Sequence, residues 1–342
     1  MNKPLLSGDH NSLHDAEEIK LRPNRLEDFV GQTQFCENLK VFILAALQRS
    51  ESLDHVFLSG PPGLGKTTLA SIIAKEMRTE LISTSAPALE KTSELVAILS
   101  SLQDGTVFFI DEIHRLRPPV EELLYTAMED RELDVVIGQG PGARTVKVPL
   151  PSFTLIGATT KTGLVSGPLY SRFGITARLN FYDFNEISKI IWRSSRIFNI
   201  PFDELAVHEL AKCSRGTPRV ANRLLRRMRD FAQILQDGSV NSEIVKEGLN
   251  RLEVDAFGLD KVDRDILLSI ITKYDGGPVG SETLALSISE SVDTLEDVYE
   301  PYLIQSGLLQ RTPRGRIATS LAYEHLGKLK SGGYNVDQQI FF

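Results

Sequence analysis

The sequence predicts an α/β domain, a parallel sheet flanked by helices, followed by a small all-helical domain and a C-terminal domain of helices closed by a hairpin. Three observations lead there. The apolar run Val56-Phe-Leu-Ser59 enters a glycine loop of the form G-x-x-x-x-G-K-T at residues 60–67, and an amphipathic segment follows. From about residue 54 to 178, strand-like runs alternate with helical patterns, the order of a sheet wound with helices. After Phe181-Tyr182-Asp183 the periodicity becomes helical and strand signals fade.

The elements justify themselves in turn. Residues 55–59, 80–83, 106–110 and 153–158 are short apolar runs bounded by turn or charged residues and read as strands. In the loop, Gly60, Gly63 and Gly65 can take backbone conformations closed to other residues, which turns successive N–H groups inward onto phosphate oxygens. Leu69, Ile72, Ile73 and Met77 recur at helical spacing, so a helix begins at the loop and offers it a positive N-terminal end. Helical periodicity then covers 187–198, 203–213, 217–235 and 241–252. Residues 263–272 form a further helix, Gly276-Gly277-Pro278 breaks it, and 307–318 read as two short strands around a Pro-Gly turn. The divisions are 1–182, 183–255 and 256–342. The ends, before about Leu21 and after about Ser331, are expected to be mobile.

Composition narrows the class. At 342 residues, 42% hydrophobic and 24% charged, the chain is an ordinary globular protein long enough for two or three cores. Its longest apolar run, Val41 to Leu47, cannot span a bilayer, and the polar start lacks a signal core, so a cytoplasmic location is expected. Cys36 and Cys213 lie far apart and suggest neither a disulfide framework nor a cysteine metal site. The formal net charge is 38 − 45 = −7, residues 183–255 carry 12 basic against 11 acidic side chains, and 256–342 carry 8 against 12. Any contact with nucleic acid is therefore local.

The chemistry is that of a nucleoside triphosphate. Lys66 supplies a point charge to the outer phosphates and Thr67 a hydroxyl for Mg²⁺. Val107-Phe-Phe-Ile-Asp111-Glu112 is a buried strand ending in two carboxylates. Asp111 suits the metal, and Glu112 suits polarisation of the attacking water. Thr159, ending the strand Ile156-Gly-Ala-Thr159-Thr160, offers a hydroxyl to the γ-phosphate or the water. Arg172, in Tyr170-Ser-Arg-Phe-Gly174, and Arg219, in Gly216-Thr-Pro-Arg219, are candidates for stabilising phosphoryl charge. Spacing alone leaves two surface arginines as the alternative. His114, in Asp-Glu-Ile-His, reads equally as a catalytic or a structural residue.

This order of motifs resembles the AAA+ ATPases, with Leu21-Arg22-Pro23 and Phe29-Val30-Gly31-Gln32 as the adenine-flanking segment. Within that class it is most similar to the motors that drive branch migration of Holliday junctions. The residues are Phe-Ile-Asp-Glu-Ile-His-Arg-Leu, Val136-Ile-Gly-Gln-Gly-Pro-Gly-Ala-Arg, Ser171-Arg-Phe-Gly and Gly216-Thr-Pro-Arg-Val-Ala-Asn-Arg-Leu-Leu-Arg-Arg, and the likeness runs from about Leu21 to Tyr323. The resemblance implies a hexameric ring with ATP at subunit interfaces and Arg172 reaching a neighbour's γ-phosphate. It implies Leu21, Arg22, Gly63, Gly65, Lys66, Thr67, Thr68, Glu129, Asp130, Arg131, Arg172, Tyr182 and Arg219 as nucleotide-binding residues, with Arg219 coupling the small domain to nucleotide state. Tyr170 departs from the family, which often has an arginine there.

The resemblance further implies that the hairpin of residues 133–148 docks on a junction-binding partner, for which the apolar Val135, Val136 and Ile137 are suited, and that a resolvase joins the assembly. It makes the C-terminal domain a winged helix, with Arg311, Arg314 and Arg316 at the wing meeting phosphates of branched duplex DNA without reading sequence. The arginines at 219, 223, 226, 227 and 229 share a helix with an apolar face of Leu224, Leu225, Met228, Phe231, Ala232 and Leu235, so several are simply its polar side. A superfamily-two helicase would instead carry a second domain of parallel strands. A nucleotide-switched DNA-binding regulator would share this core and wing but turn over ATP slowly.

Overall fold

The computed structural model describes residues 20–137 and 144–329. The chain ends expected to be mobile and the glycine-rich tip of the hairpin lie outside the described residues. Packing divides the chain into two compact units. Of the described residues, one holds those up to Asn199 together with Gly216–Arg223; the other holds Ile200–Arg215 and those from Leu224 onward.

The first unit is built on a parallel sheet of five strands, β1 (Val56–Ser59), β2 (Leu81–Ser85), β3 (Val107–Asp111), β6 (Thr154–Thr159) and β7 (Ile175–Arg178), in the order β2-β3-β6-β1-β7. β1 and β6 are buried along their whole length, as expected of central parallel strands covered on both faces. β7 escaped the sequence reading because it is a four-residue edge strand, Ile-Thr-Ala-Arg, with alternate residues exposed. Helices α1 (Thr33–Arg49), α2 (Lys66–Glu76), α3 (Thr92–Ser100) and α4 (Pro118–Asp130) accompany the sheet. Leu95, Leu99, Leu124 and Phe173 pack with Phe57, Phe108 and Leu155 in one apolar core, each such side chain contributing about 1.5–3 kcal/mol. A separate antiparallel pair, β4 (Glu132–Ile137) and β5 (Arg144–Pro149), leaves the end of α4. Leu133 at its base is buried; the side chains of Val135, Val136 and Ile137 lie outside the described residues.

Helix α5 (Phe184–Ile197) also belongs to this unit, and its start is set by a capping box: the Asp183 carboxylate accepts the Glu186 N–H at 2.8 Å and Glu186 accepts the Asp183 N–H at 2.9 Å. In the second unit the side chains of Asp203 and Asn241 cap α6 (Glu204–Lys212) and α8 (Ser242–Arg251). Between these runs α7 (Pro218–Leu235), and the boundary between units falls inside it. Its buried side is Ala221, Leu224, Leu225, Met228 and Ala232, while Ile234 and Leu235 are exposed. Arg227 and Arg229 pair with Asp230 on the outer side at 3.1 and 3.5 Å.

The C-terminal part has the order of a winged helix: α9 (Lys261–Lys273), α10 (Ser281–Ser287), a helical stretch at residues 292–305, then β8 (Leu309–Thr312), β9 (Gly315–Ala318) and α11 (Ser320–His325). The stretch widens into one π turn at Leu295–Tyr299, just before Pro301, which has no N–H to close an α bond. Leu267, Ile270, Leu284, Leu295, Leu303 and Leu309 form its core. At its entry Arg215 is buried and ties α6 to α9: Nε donates to the Gly258 carbonyl at 2.7 Å, and Nη2 lies 2.6 Å from Asp263 and 3.3 Å from Asp260.

One guanidinium thus serves two buried carboxylates, and burial pushes the Asp263 carboxyl up to about 8, with Arg215 opposing and Asp260 adding to the rise. The folded value lies above the unfolded one, so the folded chain keeps a proton that the unfolded chain loses near pH 4. This contribution to stability is complete below about pH 4 and is lost as pH rises through about 8. Urea midpoints measured from pH 5 to pH 9 should fall more steeply for the native chain than for Asp263→Asn, which has no such proton to lose.

Candidate nucleotide site

Parallel strands in one register bring their carboxyl ends to one edge. Ser59 of β1 pairs with Thr159 of β6 and with Arg178 of β7, and Ile110 of β3 pairs with Gly157, so β6 lies between the strand feeding the phosphate loop and the strand ending in Asp111. The loop leaves Ser59 through Gly60 (φ 135°), Gly63 (φ 82°) and Gly65 (φ 100°), conformations that require glycine. Gly60 has a second reason: a Cβ there would stand 2.6 Å from the Leu179 carbonyl.

The cleft above this edge is lined by Leu21, Arg22, Pro23, Phe29, Val30, Gly63, Gly65, Lys66, Thr67, Thr68, Asp111, Glu112, Tyr182, Ile190, Arg193, Arg219 and Asn222, among others. Lys66 is buried, and its ammonium donates to the Gly60 and Pro61 carbonyls at 2.7 and 3.0 Å. Burial lowers its affinity for the proton; the Glu112 and Asp111 carboxylates oppose that shift. Leu21, Arg22 and Tyr182 line the same cleft. The Tyr182 hydroxyl donates to the Leu64 carbonyl at 3.0 Å, and burial raises its pKa above the usual tyrosine value. Arg193 donates to the Leu21 carbonyl at 2.6 Å. Arg219 arrives on the first turn of α7, whose backbone N–H approaches the Gly63 carbonyl at 3.4 Å. Ile190, Arg193 and Asn222 were not singled out in the sequence. Ile190 and Arg193 stand three apart on α5, and Asn222 three beyond Arg219 on α7, spacings that put each pair on one helix face.

Glu112 adopts a left-handed backbone (φ 50°, ψ 46°), and a single 3₁₀ turn, Ile113–Arg115, follows. That conformation is uncommon for a side chain larger than glycine's, and such strain concentrates at working sites. The turn brings His114 back beside Glu112, with Nδ1 3.2 Å from Oε2. The Thr160 hydroxyl donates to the same Oε2 at 3.2 Å.

Two expectations need correction. Thr159 does not offer its hydroxyl to the cleft: it is fully buried, its Oγ1 accepts the Lys161 N–H at 2.9 Å and lies 2.9 Å from His114 Nδ1. Successive strand residues point to opposite faces, so the neighbouring hydroxyl of Thr160 reaches Glu112 instead. Arg316 is not a free wing cation. It is 5% exposed, with Nε 2.6 Å from Glu300 and Nη2 2.6 Å from Glu296. In the hairpin register Arg316 stands opposite Arg311, while Arg314 sits in the turn. Residues 292–305 carry four acids, Asp293, Glu296, Asp297 and Glu300, and no lysine or arginine; that imbalance was the signal for a buried cation.

Arg172, Glu129, Asp130 and Arg131 are not among the cleft-lining residues. Arg172 follows the single helical turn Gly167–Tyr170, donates to the Glu129 carboxylate and stacks 5.4 Å from the Tyr125 ring centre. Glu129 and Asp130 are exposed at the end of α4, and Arg131, also exposed, donates to the Ser152 hydroxyl.

A phosphate loop on this strand order, a helical lid bearing an arginine and a winged helix define an AAA+ P-loop ATPase. Family models match along the chain: the Holliday junction DNA helicase RuvB P-loop domain at residues 21–179, the RuvB AAA lid domain at 182–255 and the RuvB C-terminal winged helix domain at 256–327. The chain is 62% identical to the Holliday junction branch migration complex subunit RuvB of Treponema denticola over 92% of its own length and 91% of that protein's. It is 57% identical to the subunit of the same name from Borreliella burgdorferi over 99% and 98%. The solved Thermotoga maritima RuvB Holliday junction branch migration motor superposes with a TM-score of 0.84 at 48% identity, covering 91% of this chain and 99% of that one. The chain belongs to the RuvB family.

Gly31 tests the cleft wall. Its φ is 83°, and a Cβ would lie 2.6 Å from the Tyr182 ring. Gly31→Ala should cost about 1–3 kcal/mol in urea unfolding and weaken binding of a fluorescent ATP analogue, as the tyrosine shifts off Leu64. Gly163→Ala, where nothing lies within 4 Å, is the control and should change neither.

Proposed function

We propose that this chain is an ATP-driven motor that moves Holliday junctions during recombination and DNA repair, working in the cytoplasm as a homohexameric ring. The partners proposed are a RuvA-like junction-binding protein, met through the β4–β5 hairpin, and a RuvC-like resolvase. The observation that carries the reading is the split of the site: the phosphate loop, Asp111, Glu112 and Arg219 share one cleft, while Arg172 stands outside it beside Glu129. A cleft without its finger arginine suits a ring in which the next subunit supplies it. On this reading the working domains are 1–182, 183–255 and 256–342.

The roles follow from chemistry. The inward N–H groups of the loop and the Lys66 ammonium hold the β- and γ-phosphates; Lys66 exchanges its two carbonyl partners for charge-assisted bonds to them. Leu21, Arg22 and Tyr182 flank the base. Mg²⁺ fits the donors present: Thr67 and Asp111 face the cleft, and among the described residues no group of three or more His, Cys, Asp or Glu is arranged to hold a metal. Such sparse protein ligation is characteristic of an ion that keeps its waters and takes phosphate oxygens. When bound, the ion neutralises charge developing between the β- and γ-oxygens. Glu112 orients the attacking water, and Thr160 takes the sensor role expected of Thr159. Arg172, Glu129, Asp130 and Arg131 serve the neighbour's nucleotide. Arg219 joins the loop to α7, which continues into the second unit, so the nucleotide state reaches the lid.

The wing contacts DNA through Arg314, with Arg311, 57% exposed, beside it. Sequence-independent contact agrees with the acidic helix at 292–305, since a helix of four acids and no cation is repelled by the phosphates of a groove. That disfavours a sequence-reading regulator. Helices where a second strand-rich domain would stand disfavour a superfamily-two helicase.

Rings mixed from Arg172→Ala and Glu112→Gln subunits should hydrolyse ATP at rates neither homogeneous ring attains. Mixed rings as inert as both parents would place the two residues in one subunit's site and end the shared-site reading. At the wing, Arg314→Ala should weaken duplex binding uniformly across sequences and reduce the salt slope by about one counterion, with unchanged unfolding. Arg316→Ala should instead lower stability by about 3–5 kcal/mol, because it leaves Glu300 buried without its partner.

A further inference from the structure

The imidazole of His114 has no part in the roles set out above, yet it is nearly buried at the heart of the site, its side chain 8% exposed. Its Nδ1 lies between two oxygens, 3.2 Å from Glu112 Oε2 and 2.9 Å from Thr159 Oγ1. A bare Nδ1 would turn its lone pair against a carboxylate oxygen, so the proton belongs on Nδ1, which donates into the space between them. Thr159 is itself fixed, accepting the Lys161 N–H at 2.9 Å from a hydroxyl with no exposure. The same carboxylate oxygen, Oε2, also accepts from the Thr160 hydroxyl at 3.2 Å. Glu112 follows the last residue of β3 in a left-handed conformation, so without lateral support its side chain can swing about χ1 and χ2 away from the water's line of attack.

We infer that His114 is a positioning residue for hydrolysis: it holds the Glu112 carboxylate in the orientation that polarises the attacking water, and Thr159 in turn holds His114. This rests on Glu112 being the water-orienting base. The chain Lys161 N–H, Thr159, His114, Glu112 gives the buried threonine a use that its place on the inner face of β6 otherwise denies it. His114 is not among the residues lining the cleft, so its loss should affect the chemical step and leave binding intact. By analogy with the outer-shell partners of metal ligands, whose removal costs roughly 10- to 100-fold, such a support has a measurable share in the roughly 10²- to 10⁴-fold that a positioned base contributes.

The test is steady-state ATP turnover by the full chain on duplex DNA, with affinity for a fluorescent ATP analogue measured in parallel. His114→Ala should lower kcat roughly 10- to 100-fold with KM and analogue affinity within about twofold of the native values. His114→Asn, whose amide N–H stands near the position of Nδ1, should recover most of that loss. In the Glu112→Gln background His114→Ala should cause no further fall, because the group it positions is gone. Should His114→Ala fold poorly, Thr159→Val provides the second reading: it keeps the buried volume, removes the hydroxyl that holds the ring, and should lower kcat several-fold at unchanged KM. The inference is overturned by a His114→Ala enzyme with native kcat, by Asn performing no better than Ala, or by losses that appear in KM and analogue affinity instead. Full hydrolysis by Glu112→Gln is a different failure, since it removes the base assignment itself whatever His114 does.

Discussion

Everything at the site depends on one topological constraint: β6 is inserted between β1 and β3. Parallel strands in register end together, so the loop after Ser59, the carboxylates at Asp111 and Glu112 and the hydroxyls at Thr159 and Thr160 arrive at one edge although about fifty residues separate each from the next. The inserted strand also sets distance. With neighbouring strands about 4.8 Å apart, the Asp111 and Glu112 carboxylates stand two strands from the phosphate loop, with the end of β6 between them. A sheet with β1 and β3 adjacent would bring the loop and the carboxylates one strand spacing closer.

The same edge explains why the site is tense on one side and loose on the other. Lys66, Thr159 and Tyr182 are buried and hydrogen-bonded, and Glu112 holds a backbone conformation that costs on the order of 1 kcal/mol. This wall is preorganised. Arg172 is held by an exposed glutamate, a ring face and two long hydrogen bonds, to the Pro168 carbonyl and the Ser171 hydroxyl, of which the ion pair and the ring contact are worth roughly 0–1 kcal/mol each. Charge also sorts the winged helix. Glu296 and Glu300 draw Arg316 inward, while Arg314 stands exposed in the turn.

Much of this was legible beforehand because it is written in local pattern. The loop from Gly60 to Thr67 needs glycines at left-handed positions, and the helix after it needs an apolar face; both are properties of consecutive residues. The capped starts at Asp183, Asp203, Asn241 and Asp260 are local too, although the sequence reading took the helices from periodicity and not from their caps. β7 was missed because four alternating residues carry too little signal. Ile190, Arg193 and Asn222 were missed because nothing in their own neighbourhoods marks them as facing a cleft.

What the sequence determined by itself, then, is the class of chemistry: backbone conformations only glycine allows, a lysine at a helix start, paired carboxylates ending an apolar strand. What only the tertiary structure decided is which of two like residues does which task. Thr159 and Thr160 differ by one position, and the alternation of a strand sends one into the core and the other to Glu112. Arg311, Arg314 and Arg316 are alike in type, and the register of a two-residue turn puts only the middle one clear of the glutamates. The physical reason is the same in both cases: side-chain identity sets what a group can bind, but its direction is fixed by strand pairing with residues far along the chain.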